Sequence, residues 1–418
     1  MSKLVQILKT TSFMLAASFL STGCNATAKE WPQWGGPSRD FIVNAPKLAD
    51  TWPDEGPPKI WTRELGKGYS AIAVTGDKLI TMYRNEKDED VVVAMNRGDG
   101  KTIWEHSYAA PTYEGQVLEF GHGPNGTPLV VGNKIYTIGF TGKMNCLELN
   151  TGKPIWSHDL VKDFDAKVHK FGYSNSPMLY EGNIVVAVGG EKYGLVGFDP
   201  TSGKPAWKGE PMDMSYASPI VINVDGQDQF VIMSSEEVIG VSTKGKKLWS
   251  HPCVNQYKNN ATDPLWMNGN MLWVSTQLDG GTRCLKLTRS GDKTSVEEVW
   301  FNDKVKIFHW NAIPVGDHVY GSIGGRTTFL AAVDIKTGEV KWKERGYHKA
   351  NCLYADNKLI FLDENGQLVM GTISPDAFKV LGNVQLTEKV SWTVPTLVGD
   401  TLYVRDNKNI MALNLGKS

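Results

Sequence analysis

Cysteine is scarce in this chain: there are five among 418 residues, with no Cys-x-x-Cys spacing and no adjacent pair. That excludes a disulfide framework and a zinc site of ordinary spacing. No charge of one sign dominates either. Lys and Arg number 44 against 45 Asp and Glu, and no basic block occurs, so nucleic acid is not an expected partner. No apolar run reaches the roughly 20 residues that cross a bilayer; the most apolar stretch near the N-terminus is Thr11–Leu20. Helical spacing of apolar residues is nowhere held as well as strict alternation, which excludes a helical solenoid.

What the chain has instead is a repeat. Gly-(Lys or Glu)-x-x-Trp recurs at Gly100–Trp104, Gly152–Trp156, Gly203–Trp207, Gly245–Trp249 and Gly338–Trp342, and Trp61 and Trp300 fall in phase. These tryptophans follow one another at intervals of 42 to 52 residues, the period of a chain built from copies of one supersecondary unit. A second marker, a tight turn followed by an alternating apolar run, occurs eight times, from Gly76, Gly132, Gly182, Asp228, Gly269, Gly316, Asp356 and Gly399. Gly-Asp and Gly-Asn turns join antiparallel strands because both residues tolerate positive φ. Each unit then holds four short strands, A to D, with the Trp on strand D. The expected fold is all-β: an eight-bladed β-propeller over residues 58–418.

The last unit ends without its own Gly-x-x-x-Trp segment, and Pro58–Leu65 precedes any inner strand. Residues 58–65 are therefore predicted to supply the outer strand of the last blade and close the ring. The tryptophans are read as packing residues between blades. Cys146 and Cys284, both on strand C, are read as buried small hydrophobes. The closed ring is expected to be monomeric.

Residues 1–28 read as an export signal. Two processing sites compete. Leu20-Ser-Thr-Gly-Cys24 has the form of a lipoprotein box, in which the signal is 1–23 and Cys24 is acylated; Ala26-Thr-Ala28 fits ordinary cleavage. Either places the protein outside the bacterial cytoplasm, periplasmic or lipid-anchored in the envelope, with residues 29–57 as an arm that wraps the ring. Membrane contact is expected only through that lipid.

Because strands alternate in direction, the D–A and B–C connections share one face. The long insertions Glu105–Gly121, Ser157–Phe171 and Ser250–Ala261 are D–A connections, and elaborated loops carry function more often than scaffold does. Inner-strand starts converge there on a polar, aromatic ring: Tyr69, Asn125, Thr127, Ser174, Asn175, Tyr216, Ser218, Asp263, His309, Trp310, Asn311, Asn351 and Trp392, with Arg326 from a B–C loop. Such a ring fits a pocket for a polar, partly flat ligand; equally, channel-mouth hydroxyls and amides tie strand backbones together. His309 is the candidate general base. Asp263, Glu191 and Asn311 carry oxygens of the kind that hold Ca²⁺. Glu191, Lys192 and Glu236 add charge from B–C loops, and Asp88-Glu-Asp90 reads as a solvated tip. Tyr113, Phe120, His169, Lys170 and Phe171 form a candidate rim for a protein partner.

The text Ala332-Val-Asp-Ile-Lys-Thr-Gly-Glu-Val-Lys-Trp342 resembles the pyrroloquinoline-quinone (PQQ) repeat, and Leu147–Trp156 and Val196–Trp207 are similar. Trp31-Pro-Gln-Trp-Gly-Gly-Pro37 looks like the opening of exported PQQ-like propeller proteins. The resemblance covers nearly all of residues 31–415 and implies the fold; activity must come from the site. Two branches set the expectations. Quinoprotein dehydrogenases hold PQQ and Ca²⁺ at the ring centre, and their alcohol-oxidising members use a vicinal Cys-Cys disulfide; this chain has no such pair and no CxxCH haem motif. More distantly, the chain is similar to the BamB-type lipoprotein of outer-membrane assembly, which does no chemistry. The expectation is a non-catalytic envelope propeller that binds a protein partner or a small polar ligand on the D–A face. The alternative is a quinoprotein-like alcohol or sugar oxidoreductase, dependent on PQQ and Ca²⁺, with a variant site. Carbohydrate binding by the Trp-rich mouth, at Trp310 or Trp392, is a third reading.

Overall fold

A computed structural model describes residues 30–388 and 390–417. The signal over 1–28 and the acylated Cys24 lie outside the described residues. Eight sheets form in chain order around one axis. In blade 1 the strands are Ala73–Thr75 (A), Lys78–Arg84 (B), Glu89–Asn96 (C) and Thr102–Ala109 (D), each antiparallel to the next. Seven of the eight turn markers open a strand B; in blade 4 the turn is Asp225-Gly226, and Asp228 lies within the strand Gln227–Met233. Blade 8 combines Thr396–Val398, Thr401–Arg405 and Asn409–Asn414 with Lys59–Glu64 from the N-terminal side. Trp61 stands opposite Ala412 in that pairing, so the propeller is closed by an N-terminal strand.

The repeat motif has a mechanical reason. The C–D turn glycines Gly100, Gly152, Gly203 and Gly338 lie under the tryptophan of the preceding blade. Gly152, for example, has φ +68, and a Cβ there would come within 2.3 Å of the Trp104 ring. Only glycine offers both the left-handed backbone and the room. The indole then reaches across: Trp61 Nε1 donates to Arg97 O at 3.0 Å, Trp104 Nε1 to Leu149 O at 3.0 Å and Trp300 Nε1 to Ile335 O at 2.9 Å. Burying one such ring contributes about 2–3 kcal/mol. Blade 7 has no tryptophan on its outer strand. Gly382 stands opposite Met370, where the other blades carry Trp, and the arm supplies the missing ring: a Cβ on Gly382 would lie 2.5 Å from Trp52.

Three expectations need correction. The arm does more than wrap the ring: its first part plugs the channel, and Trp52 and Gly56 reach the outer strand of blade 7. Trp31 pairs with Val74 on the inner strand of blade 1. The chain turns back at Trp34–Phe41, and Ile42–Val43 then runs parallel to Ala350–Ala355 as a fifth, innermost strand of blade 7. Trp31 and Leu48 are fully buried. The reason is space: short inner strands around an eight-fold axis leave a channel that apolar side chains can fill. Second, a helix is present, Leu160–Phe164, capped by the Asp159 side chain on Lys162 N; five residues are too few to show a period. Third, Asp90 is not a solvated tip. It opens strand C fully buried, accepts a hydrogen bond from Phe140 N at 2.7 Å and lies 3.7 Å from the buried Arg84. Among the described residues no helix is long and apolar enough to cross a membrane.

Candidate functional site at the channel mouth

The Trp31–Phe41 turn is what makes a site of the mouth. Phe41 N bonds Gly35 O at 2.9 Å, folding the segment back on itself. Gly35 is required there, since a Cβ would lie 2.6 Å from the Arg39 backbone. At the tip, Trp34 and Phe41 pack edge to face, with centroids 5.0 Å apart. Trp34 Nε1 donates to Asp263 Oδ2 at 2.6 Å, and Arg39 Nη2 donates to Pro219 O at 3.2 Å. These contacts lock the plug to blades 4 and 5.

Above the plug lies a cavity of about 450 Å³ on the D–A face. Its floor is Trp34 and Phe41, and its walls come from inner-strand starts and D–A loops. Tyr69, Asn125, Ser174, Tyr216, Ser218, Asp263, His309, Trp310, Asn311, Arg326, Asn351 and Trp392 all line it. Thr127 and Asn175 do not. Thr127 is buried and its N–H donates to Ser176 Oγ, while Asn175 Nδ2 bonds Ala217 O. Both lie just ahead of their inner strands and are held between blades by these bonds to the next blade. Glu191, Lys192 and Glu236 also stay outside it. Lys192 and Glu236 pair with Asp165 and Lys258.

Much of the mouth's polarity is spent on structure. Ser176 N donates to Ser218 Oγ at 3.0 Å, and Ser218 N to Asp263 Oδ1 at 2.7 Å, continuing the step from Thr127 around blades 2 to 5. Asn311 Nδ2 donates to Cys352 O and Cys352 N returns to Asn311 Oδ1, at 2.8 and 2.7 Å. Asn125 Nδ2 bonds Phe171 O and Asn351 Nδ2 bonds Trp392 O, both at 3.0 Å. Bonds of this kind link most inner strands to the next; between blades 1 and 2 the link is made by Tyr69 N and Ser70 N to Pro124 O.

Other groups carry no such duty. His309 packs 4.7 Å from the Trp392 ring and 5.2 Å from Trp310. Its Nε2 is shielded from solvent and has no hydrogen-bond partner among the described residues. Burial, helped by the Lys349 charge, pushes its pKa down to about 3. A ring so reluctant to take a proton makes a poor general base. Asp263 is pushed up to about 6 by burial, against the pull of the Trp34 bond, Arg39 and Ser218 N. Lys349 pairs with Glu364 at 3.0 Å, and Glu364 also accepts from Trp392 Nε1 at 3.2 Å.

The mouth does not fit a calcium-bound quinone. Calcium takes six to eight oxygens, whereas each Asp263 oxygen already accepts from a protein N–H and Asn311 Oδ1 is taken by Cys352. Glu191 is not brought to them, and no cluster of metal-ligating side chains occurs among the described residues.

Sequence reasoning missed Trp34, Phe41 and Lys349 in the lining; Thr262 and Phe308 lie where the inner-strand starts place them. The arm residues left a signal, an unusually aromatic opening segment, but only the fold shows that it enters the channel. Phe120 and Phe171 were expected as rim and line the cavity wall, 6.0 Å apart.

Known proteins place this architecture. Outer membrane protein assembly factor BamB of Kangiella koreensis is 30% identical over 93 residues, 22% of this chain and 23% of that protein. Quinohemoprotein alcohol dehydrogenase ADH IIB of Pseudomonas putida is 26% identical over 121 residues, 28% of this chain and 17% of that protein. The matched stretches thus span less than a quarter of either relative. Europium-containing methanol dehydrogenase superposes with a TM-score of 0.67 at 10% identity, over 94% of this chain and 99% of that one; that likeness is one of fold. The family described as outer membrane protein assembly factor BamB matches residues 61–172 and 87–344. With its PQQ-like repeats and eight blades, the chain belongs to that family.

Proposed function

We propose that this protein is a non-catalytic propeller of the bacterial cell envelope that binds a partner protein or a small polar ligand on its D–A face. The observation that carries this is the plugged, aromatic-walled cavity in which Asp263 and Lys349 are tied to the scaffold and His309 is held neutral. Leu118, Phe120, Val254, Tyr257 and Val390 stand exposed on the D–A loops, a collar of the composition that protein contacts favour. Glu30 lies at the opposite, A–B-turn face, where Thr75 Oγ1 donates to its carboxylate at 3.0 Å. In this reading an acyl chain on Cys24 tethers the A–B side and leaves the cavity side free.

The quinoprotein-like alternative draws on the likeness to alcohol dehydrogenases. It meets a donor set that calcium does not fit, and His309 as a weak base. Two experiments cover the two readings. Titration of the protein with PQQ and CaCl₂, followed by dye-linked alcohol oxidation, should show neither uptake nor turnover. A photo-crosslinking residue at Tyr257 should capture a discrete envelope partner in cells, while one at Asp77, on an A–B turn, should not. Stoichiometric quinone uptake, or cross-links from Asp77 alone, would overturn the proposal.

A further inference from the structure

We infer that the mouth cavity holds the terminal sugar of an acidic glycan, bound without oxidation. The inference rests on the binding reading above and names its ligand class. Four features converge. The walls present ring faces: Tyr69 and Trp392 lie 5.0 Å apart, Phe120 and Trp392 6.0 Å, and Phe171 and Tyr216 5.8 Å. Such faces suit the C–H surface of a pyranose as well as they suit an aromatic guest.

The open hydrogen-bonding groups discriminate between these guests. Asn125 and Asn351 spend their NH₂ groups on backbone carbonyls, which leaves their Oδ1 atoms as acceptors for ligand donors. His309 Nε2 lacks a partner. That nitrogen is shielded from solvent, so a guest meets it only when the ring turns toward the cavity; a hydroxyl then satisfies it in either tautomer, because a hydroxyl both donates and accepts. A carboxylate or a bare aromatic edge satisfies only one of the two cases. A guest with several hydroxyls therefore matches the donors and acceptors, and leaving them unmatched in an apolar cavity costs binding energy.

Charge fixes the sign of the guest. Asp263 is engaged by Trp34 and Ser218, and Lys349 by Glu364. Arg326, exposed on the B–C loop of blade 6, lines the cavity with no ion-pair or hydrogen-bond partner among the described residues. Its planar fork fits a carboxylate. The space, about 450 Å³, accommodates one or two hexose rings.

The test uses the full described chain and named probes: glucose, N-acetylglucosamine, glucuronate, a uronate disaccharide and benzoate. Saturation-transfer NMR and calorimetry are expected to show saturable binding of glucuronate, with a Kd on the order of 1 mM or tighter. Glucose should bind about tenfold more weakly, reflecting the lost charge-assisted bond. Arg326→Ala, at an exposed position that does not bear on folding, should remove that difference and leave glucose binding unchanged. Trp392→Phe should weaken both sugars. No saturable binding by any sugar, or benzoate binding as well as glucuronate, overturns the inference. If sugars fail while Tyr257 still captures a partner, the saccharide assignment falls and the binding function stands.

Discussion

Two polar regions of this ring, the seam between blades 8 and 1 and the channel mouth, are built from similar groups and have opposite characters. At the seam, Arg405 of blade 8 is fully buried, and its terminal nitrogens are spent on blade 1. Nη1 donates to Ser70 O, Thr81 Oγ1 and Met82 O at 3.2, 3.3 and 2.7 Å, and Nη2 to Gly66 O at 3.1 Å. At the mouth, His309 Nε2 and the Asn125 and Asn351 acceptors are left open above a plug. A buried polar group with its partners in place is a fastener; one without them is either a cost or a binding site. The contrast teaches where the protein stores specificity.

Breaking the seam should have the largest effect. Arg405→Met removes the cation and strands four acceptors, so unfolding by denaturant should show a loss of about 3 kcal/mol. A loss below ~1 kcal/mol would mean the seam is no stronger than a surface contact.

A second experiment turns on Asp90, close to the mouth and as deeply buried as the seam. Burial pushes its pKa up to about 6, opposed by Phe140 N and Arg84. The folded value lies above the unfolded one of about 3.9, so the stability from this group is full below pH 4 and is lost as pH rises through 6. Between pH 4.5 and 6.5 stability should therefore fall with rising pH, by about 2 kcal/mol from this carboxyl. Asp90→Asn should flatten the slope. A wild-type profile already flat or rising there would show that the carboxylate is stabilised by its neighbours.

The smallest effect belongs to the mouth. His309→Leu deletes no hydrogen bond among the described residues, so stability should change by less than ~1 kcal/mol. In the wild type, the His309 ring proton resonance should stay flat from pH 8 to pH 5, since its pKa lies near about 3. Titration near neutrality would restore it as a general base and weaken the contrast with the seam.

How much of this was legible beforehand follows from the physics of each element. The Gly-x-x-x-Trp spacing and the eight turn markers are local signals, because turn geometry and strand alternation are written within a few residues. They suffice to number the blades and to assign Lys59–Glu64 to blade 8. Trp52 filling the place above Gly382 was not legible, since the two positions lie in different elements and only the path of the arm brings them together. The same holds for the mouth. Inner-strand starts point there by symmetry, so Tyr69, His309 and Trp392 could be named; Thr127 and Asn175 were misplaced because bonds to the next blade, Thr127 N to Ser176 Oγ and Asn175 Nδ2 to Ala217 O, draw them between blades. Asp90 looked solvated in a charged run, and only a neighbouring blade buries it.

By itself the sequence determined the repeat, the strand pattern and the pairing that joins the ends of the ring, all short-range consequences of backbone stereochemistry and apolar alternation. Tertiary structure decided that the aromatic opening segment enters the channel and that the mouth is therefore a closed pocket. It also decided which polar groups are left without partners. Those outcomes depend on distances between residues hundreds of positions apart, which only the closed ring sets.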